Sequence, residues 1–186
     1  MANNGVPITF LDIHCNSFYF TEEKDDWETD AFRQSGKVST YRIKSRDNKS
    51  LILNAEEDFQ FENSTGHQFN IQTYNSTDLR KIKGRAVMLY VYKNQKKMVA
   101  CCCGNSEIRA KEMVEIPTDL HKTSDEALFY MVKLSAPSSY QFESTLYPGR
   151  FLGFQHDGNN ASRHKLVLIQ GRNEVDNFCP MQMEKF

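Results

Sequence analysis

Trp27-Glu28-Thr29-Asp30, followed by Ala31, is the first place where residue types and order suggest chemistry. An aspartate before a small residue, in an acidic run that holds the chain's only tryptophan, reads either as a solvated linker or as a protease recognition sequence. The carboxylate is the specific handle. An arginine fork can grip it through two parallel hydrogen bonds, and a site built on that contact rejects residues lacking it. The second candidate is Cys101-Cys102-Cys103. Neighbours in a strand point to opposite faces, so three consecutive thiols do not converge on one ion. The triplet reads as small buried hydrophobes, with Cys102 or Cys103 as the thiol open to oxidation. His67, His121, His156 and His164 are scattered among turn-like segments and read as solvated loop histidines. There is no GxSxG elbow, phosphate loop, HExxH or CxxC pair. The expectation is therefore no enzyme, no metal and no cofactor.

Charge separates the chain at the same bond. Residues 1–30 carry seven acids (Asp12, Glu22, Glu23, Asp25, Asp26, Glu28, Asp30) and one base (Lys24), net −6, whereas the whole chain is −1. Residues 31–186 therefore hold +5, and a cut after Asp30 turns a nearly neutral protein into a basic one suited to acidic partners. No stretch approaches the ~20 apolar residues of a membrane helix. The N-terminal segment lacks a basic leader and is broken by Pro7, Asp12 and His14, so no secretory signal is expected. The odd count of five cysteines favours reduced thiols and synthesis in the cytosol. The basic residues of DLRKIKGR and KKMV lack the interleaved aromatics of a base-stacking surface, so nucleic acid is not an expected partner.

The elements that must position these residues read as strands. Short apolar or alternating runs recur at Val38–Ile43, Leu51–Leu53, Phe59–Phe61, Val87–Tyr92, Met98–Cys103, Leu128–Leu134, Tyr140–Phe142, Phe151–Phe154 and Lys165–Ile169. Turn sequences such as SRDNKS, KNQKK and YPG separate them, and only Thr123–Leu128 admits a short helical turn. Three strand–turn–strand units, TYRIKSRDNKSLILN, VMLYVYKNQKKMVAC and YQFESTLYPGRFLGF, begin at Thr40, Val87 and Tyr140, spacings of 47 and 53. Recurrence in thirds predicts an all-β chain folded as a β-trefoil, twelve strands with pseudo-threefold symmetry, preceded by a short acidic segment.

In the third unit, Phe142, Ser144, Pro148, Phe151 and Leu152 stand at the spacing of the interleukin-1 family signature, which this stretch resembles. Phe18-Tyr19-Phe20, the acidic run to Asp30, Phe61-Glu62, Cys103-Gly104-Asn105, Lys111-Glu112-Met113 and Thr123-Ser124-Asp125 follow in matching order. Within the family the likeness is greatest to the interleukin-18 branch. Trp27-Glu28-Thr29-Asp30 resembles the tetrapeptide preferred by inflammatory caspases, which need aspartate before the cut and favour a bulky apolar residue three positions upstream of it.

The resemblance implies a proinflammatory cytokine made as an inactive cytosolic precursor. It implies a propeptide, residues 1–30, removed between Asp30 and Ala31 by an inflammatory caspase, and a β-trefoil domain, residues 31–186, secreted without a signal peptide. The implied partners are the primary and accessory immunoglobulin-domain chains of a receptor, and a soluble decoy that binds the same cytokine. A monomer is expected, and no membrane contact. Family receptor contacts match here at Lys37, Arg42, Asp47, Lys111 and Asp125. The chain departs from the family at Asn75, Ser64 and Gly66. Those departures leave open a relative that occupies a receptor without signalling. A sugar- or heparin-binding trefoil is the remaining alternative, without the repeated Gln-x-Trp motif of such lectins.

Overall fold

The computed structural model describes residues 8–14, 17–22, 31–76, 83–104, 106–158, 160–171 and 180–186. Among them there is no helix. Strands β1 (Ile8–His14) and β2 (Ser17–Glu22) form a hairpin whose backbone pairs only with itself. Its register sets Phe10 opposite Phe20 and Ile13 opposite Phe18.

The remaining strands make one closed system. Six of them, β3 (Phe32–Lys44), β6 (Phe69–Ser76), β7 (Arg85–Lys93), β11 (Phe129–Lys133), β12 (Ser139–Ser144) and β15 (Met181–Lys185), pair in a ring, each antiparallel to the next, and β15 returns to β3. Closure removes the exposed edges of an open sheet. Three hairpins cap the ring: β4–β5 (Ser50–Leu53, Phe59–Glu62), β8–β9 (Lys96–Cys103, Glu107–Met113) and β13–β14 (Arg150–Asp157, Asn160–Gln170). Strand β14 joins the caps by pairing with both β5 and β9. Six ring strands and three capping hairpins are the β-trefoil expected from the repeats. The thirteenth strand of the system, β10 (Asp119–Leu120), is a two-residue bridge to Phe32–Arg33.

Strand β7 explains the core. Its residues from Ala86 to Val91 are all buried because the strand is covered on both faces. Val87, Leu89 and Val91 enter the barrel interior with Phe61, Phe69, Phe129 and Phe142. Ala86, Met88 and Tyr90 face a second cluster with Phe32, Tyr74, Leu120 and Leu128. Alternation continues on β8, where Cys102 joins the interior and Cys101 the second cluster, while Cys103 is exposed. The thiols diverge, as strand geometry requires.

Two expectations are corrected. Thr123–Leu128 makes only one turn, closed by Leu128 N–H donating to the Asp125 carbonyl at 3.3 Å. It goes no further because Cys102 N–H already holds the Glu126 carbonyl at 2.8 Å. His164 is no loop histidine: it lies within β14 and is 1% exposed. His156 is also on a strand, but exposed, and His67 accepts a hydrogen bond from Leu53 N–H through Nδ1 at 3.1 Å.

Candidate functional site

Lys37 sits in a bulge of β3. The pairing passes from Gln34 opposite Tyr74 to Val38 opposite Gln72, so Ser35, Gly36 and Lys37 together face Thr73 alone. Gly36 allows the detour at φ +44°, with open space around it. The Lys37 carbonyl accepts from Gln72 Nε2 at 3.4 Å and Thr73 Oγ1 at 3.3 Å. Gln72 is itself buried. A fixed backbone thus presents an exposed ammonium beside Val38, which is 48% exposed.

Farther along β3, Arg42 lies opposite Glu184, and its guanidinium stands 4.4 Å above the Phe186 ring. Its Nε is buried without a hydrogen-bond partner, so part of this charge is spent on local packing. Asp47 is exposed at the tip of the β3–β4 turn, whose ends are tied by Ser45 N–H to the Lys49 carbonyl at 2.8 Å.

Lys111 and the turn that carries Asp125 meet, through Glu126, on another part of the surface. Lys111, exposed on β9, forms an ion pair with Glu126, and that carboxylate raises the pKa of the lysine. Asp125 Oδ1 accepts from Ala127 N–H at 2.8 Å, so its side chain shapes the turn as well as charging it. Beneath lie Cys101 and Cys102. Burial, reinforced by Glu126, pushes the Cys101 thiol up to about 12, and burial also raises Cys102. Both are therefore protonated and unreactive at neutral pH. The five candidate contacts thus fall into a β3 set and a β9–turn set.

The signature residues build the scaffold. Phe142 and Leu152 are fully buried in the barrel interior. Ser144 Oγ accepts from Tyr147 N–H at 3.1 Å and lies 3.4 Å from Cys102 Sγ. Pro148 is exposed in the β12–β13 turn, before Gly149 at φ +80°. Phe151 pairs with Glu143 across the hairpin. Sequence reasoning passed over Glu143, which is buried and accepts from Gly149 N–H at 2.8 Å and from Lys83 Nζ at 2.9 Å. The available signal was its place in an apolar strand, where a carboxylate needs a partner.

Trp27, Glu28, Thr29 and Asp30 lie outside the described residues. Ala31 is half-buried against the second cluster. Phe32 is 3% exposed, and its ring centroid is 6.4 Å from that of Tyr130. The candidate scissile bond is therefore separated by a single residue, Ala31, from a core anchor of the trefoil. Among the described residues no group of three or more His, Cys, Asp or Glu could hold a metal ion.

The family model described as Interleukin-1 / 18 matches residues 59–178. No curated protein matches. Among solved structures, chicken interleukin-1 beta is similar with a TM-score of 0.62 at 16% identity, covering 83% of this chain and 99% of its own. The pro-inflammatory cytokine interleukin-36alpha is similar with a TM-score of 0.53 at 15% identity, covering 81% and 94%. At such identities the solved structures establish the fold.

Proposed function

Since this chain belongs to the interleukin-1 family of cytokines, we propose that it is a proinflammatory cytokine of the interleukin-18 type, made as an inactive precursor. An inflammatory caspase cuts between Asp30 and Ala31. The basic domain, residues 31–186, then leaves the cell without a signal peptide and assembles a receptor from a primary and an accessory immunoglobulin-domain chain. A soluble decoy competes for the same surface.

The supporting observation is where the domain begins. Phe32 is locked between Ser76 on β6 and Leu120 on β10, and each described strand from there on belongs to the trefoil sheet system. A cut before Ala31 removes the acidic segment without touching the core. Lys37, Arg42, Asp47, Lys111 and Asp125 are the proposed receptor contacts. Electrostatics at such contacts governs encounter rate and orientation more than raw affinity. The segment lost carries −6 and the apolar run Phe10–Phe20, a composition that suits it to cover a basic surface before processing. Deleting residues 1–30 without a gain in receptor affinity would sink that cover.

The test is intact mass after incubating the full chain with an inflammatory caspase. One cut with a new N-terminus at Ala31, abolished by Asp30→Ala, supports the precursor reading. An uncut chain, or cleavage elsewhere, removes it.

A further inference from the structure

His164 ties the turn that carries Asp47 to the third repeat. Lys49 Nζ lies 3.1 Å from its Nε2. An ammonium only donates, so Nε2 accepts and the ring proton sits on Nδ1, a buried atom with no partner. Phe154 stacks on the imidazole at 5.4 Å between centroids, and His156, directly opposite on β13, meets it edge-on at 4.3 Å. On the other side His164 pairs with Phe61 of β5. The groups whose charge acts on the ring are Lys49 and Asp47 from the β3–β4 turn and His156 from β13, while Glu56, Asp58, Arg163 and Lys165 line the cavity beside it.

We propose that the Lys49–His164 hydrogen bond is an acid-sensitive latch: protonating His164 releases Lys49 and frees the Ser45–Lys49 turn to carry Asp47 out of its binding position. The two protonation states cannot share one geometry. With His164 neutral, Lys49 is an ideal donor to Nε2. Once Nε2 is protonated, the bond has no acceptor, and two cations stand 3.1 Å apart with the imidazole itself buried, an arrangement that repulsion disfavours. Burial, Lys49 and His156 all hold the imidazole pKa below its ordinary value, and Asp47 opposes them. The latch is closed at neutral pH and opens as pH falls through the lowered pKa of the folded ring. The turn is a compact unit able to move as one, tied internally by Asn48 N–H to the Ser45 carbonyl at 3.0 Å and by Lys49 N–H to Ser45 Oγ at 3.2 Å. The consequence for binding rests on the reading of Asp47 as a receptor contact, whereas the latch does not.

The experiment is a pH titration of the full chain from neutral to mildly acidic by NMR, following histidine rings and backbone amides together. His164 is expected to protonate below the ordinary imidazole range, and the amides of Arg46, Asp47, Asn48 and Lys49 to shift with the same midpoint. Lys49→Met keeps the alkyl stem and removes the cation, so the midpoint rises and the turn amides lose that titration. Turn amides that stay still while wild-type His164 titrates would overturn the latch, as would an unchanged midpoint in Lys49→Met. Receptor binding by the processed form at both pH values separates the two readings. A latch that titrates while affinity does not change stands, and only the role of Asp47 falls.

Discussion

Asp125 and Thr145 are joined through one hydroxyl. Asp125 N–H donates to Thr145 Oγ1 at 3.0 Å, and the same oxygen lies 2.9 Å from the Leu128 carbonyl, which it can reach as donor. Thr145 directly follows Ser144 of the family signature. The turn that presents Asp125 and positions Glu126 against Lys111 is thus fastened to the hairpin that the signature builds. Thr145→Val keeps the volume but leaves Asp125 N–H without its acceptor. Such a loss costs roughly 1–3 kcal/mol for a buried group. A lower urea midpoint is expected, with Thr145→Ser recovering most of it. A Val variant as stable as wild type would show that the turn has another anchor.

Glu143 sets a second expectation. It is a buried carboxylate with two partners, so Glu143→Leu strands Gly149 N–H and leaves Lys83 without its anion. Lys83 is 58% exposed and is rehydrated easily, so its ion pair contributes little. The cost comes mainly from the hairpin amide, about 1–3 kcal/mol. Lys83→Met should therefore lower the melting temperature much less than Glu143→Leu. Equal losses would assign the stabilisation to the ion pair instead.

These two residues also mark what the sequence made legible. The strand pairs β3–β4, β7–β8 and β12–β13 were readable because apolar runs flank strong turn signals, and three such units suffice to name a trefoil. Strand β9, EIRAKEM, was not, because its charged, straight-chain residues have helical preference and only Ile108 is buried. Pairing with β8 from Lys97 to Cys103 imposes the strand. Strand β6, FNIQTYNS, hid behind Gln72, a buried amide that donates to the Lys37 carbonyl in the bulge of β3 and to the adjacent Thr73 carbonyl. His164 was misread for a related reason: its polarity suggested solvent, and only the register of β13, β14 and β5 reveals what covers it. Local periodicity reports the strands that carry an apolar run. It carries no information on which polar side chains find partners far along the chain.

Burial orders the reactivity of the cysteine triplet. Cys101 and Cys102 are buried with raised thiol pKa values, whereas Cys103 is exposed. Brief alkylation of the native protein at neutral pH, read by fragment-ion mapping, should label Cys103 and spare its two neighbours until denaturant is added. Early labelling of Cys102 would mean that the β8 backbone opens far more readily than its packing implies.

His164 also makes a prediction about stability. Its folded pKa lies below the ordinary value near 6.5, so the unfolded chain binds the extra proton more readily. The contribution of the neutral ring is complete above that value and is lost as pH falls from there through the folded pKa. The slope is at most about 1.4 kcal/mol per pH unit for one proton. Urea midpoints measured from pH 7.5 to 5 should fall more steeply for wild type than for His164→Gln. Parallel curves would place the acid sensitivity in other groups.

Lys37 separates binding from folding. Its side chain is exposed while its carbonyl is held by Gln72 and Thr73, so the ammonium can be changed without disturbing the bulge. Lys37→Glu should leave the unfolding free energy within about 0.5 kcal/mol of wild type, as surface substitutions do. Against the proposed receptor the processed variant should associate more slowly. The deficit should shrink as salt is raised, because a charge at the rim of an interface acts mainly on encounter. Gln72→Leu should show the converse pattern. It strips a donor from the Lys37 carbonyl, loosens the bulge and lowers stability while the cation remains. If Lys37→Glu binds with unaltered kinetics at low salt, Lys37 lies outside the contact surface, and the bulge serves only to fit the start of β3 against β6.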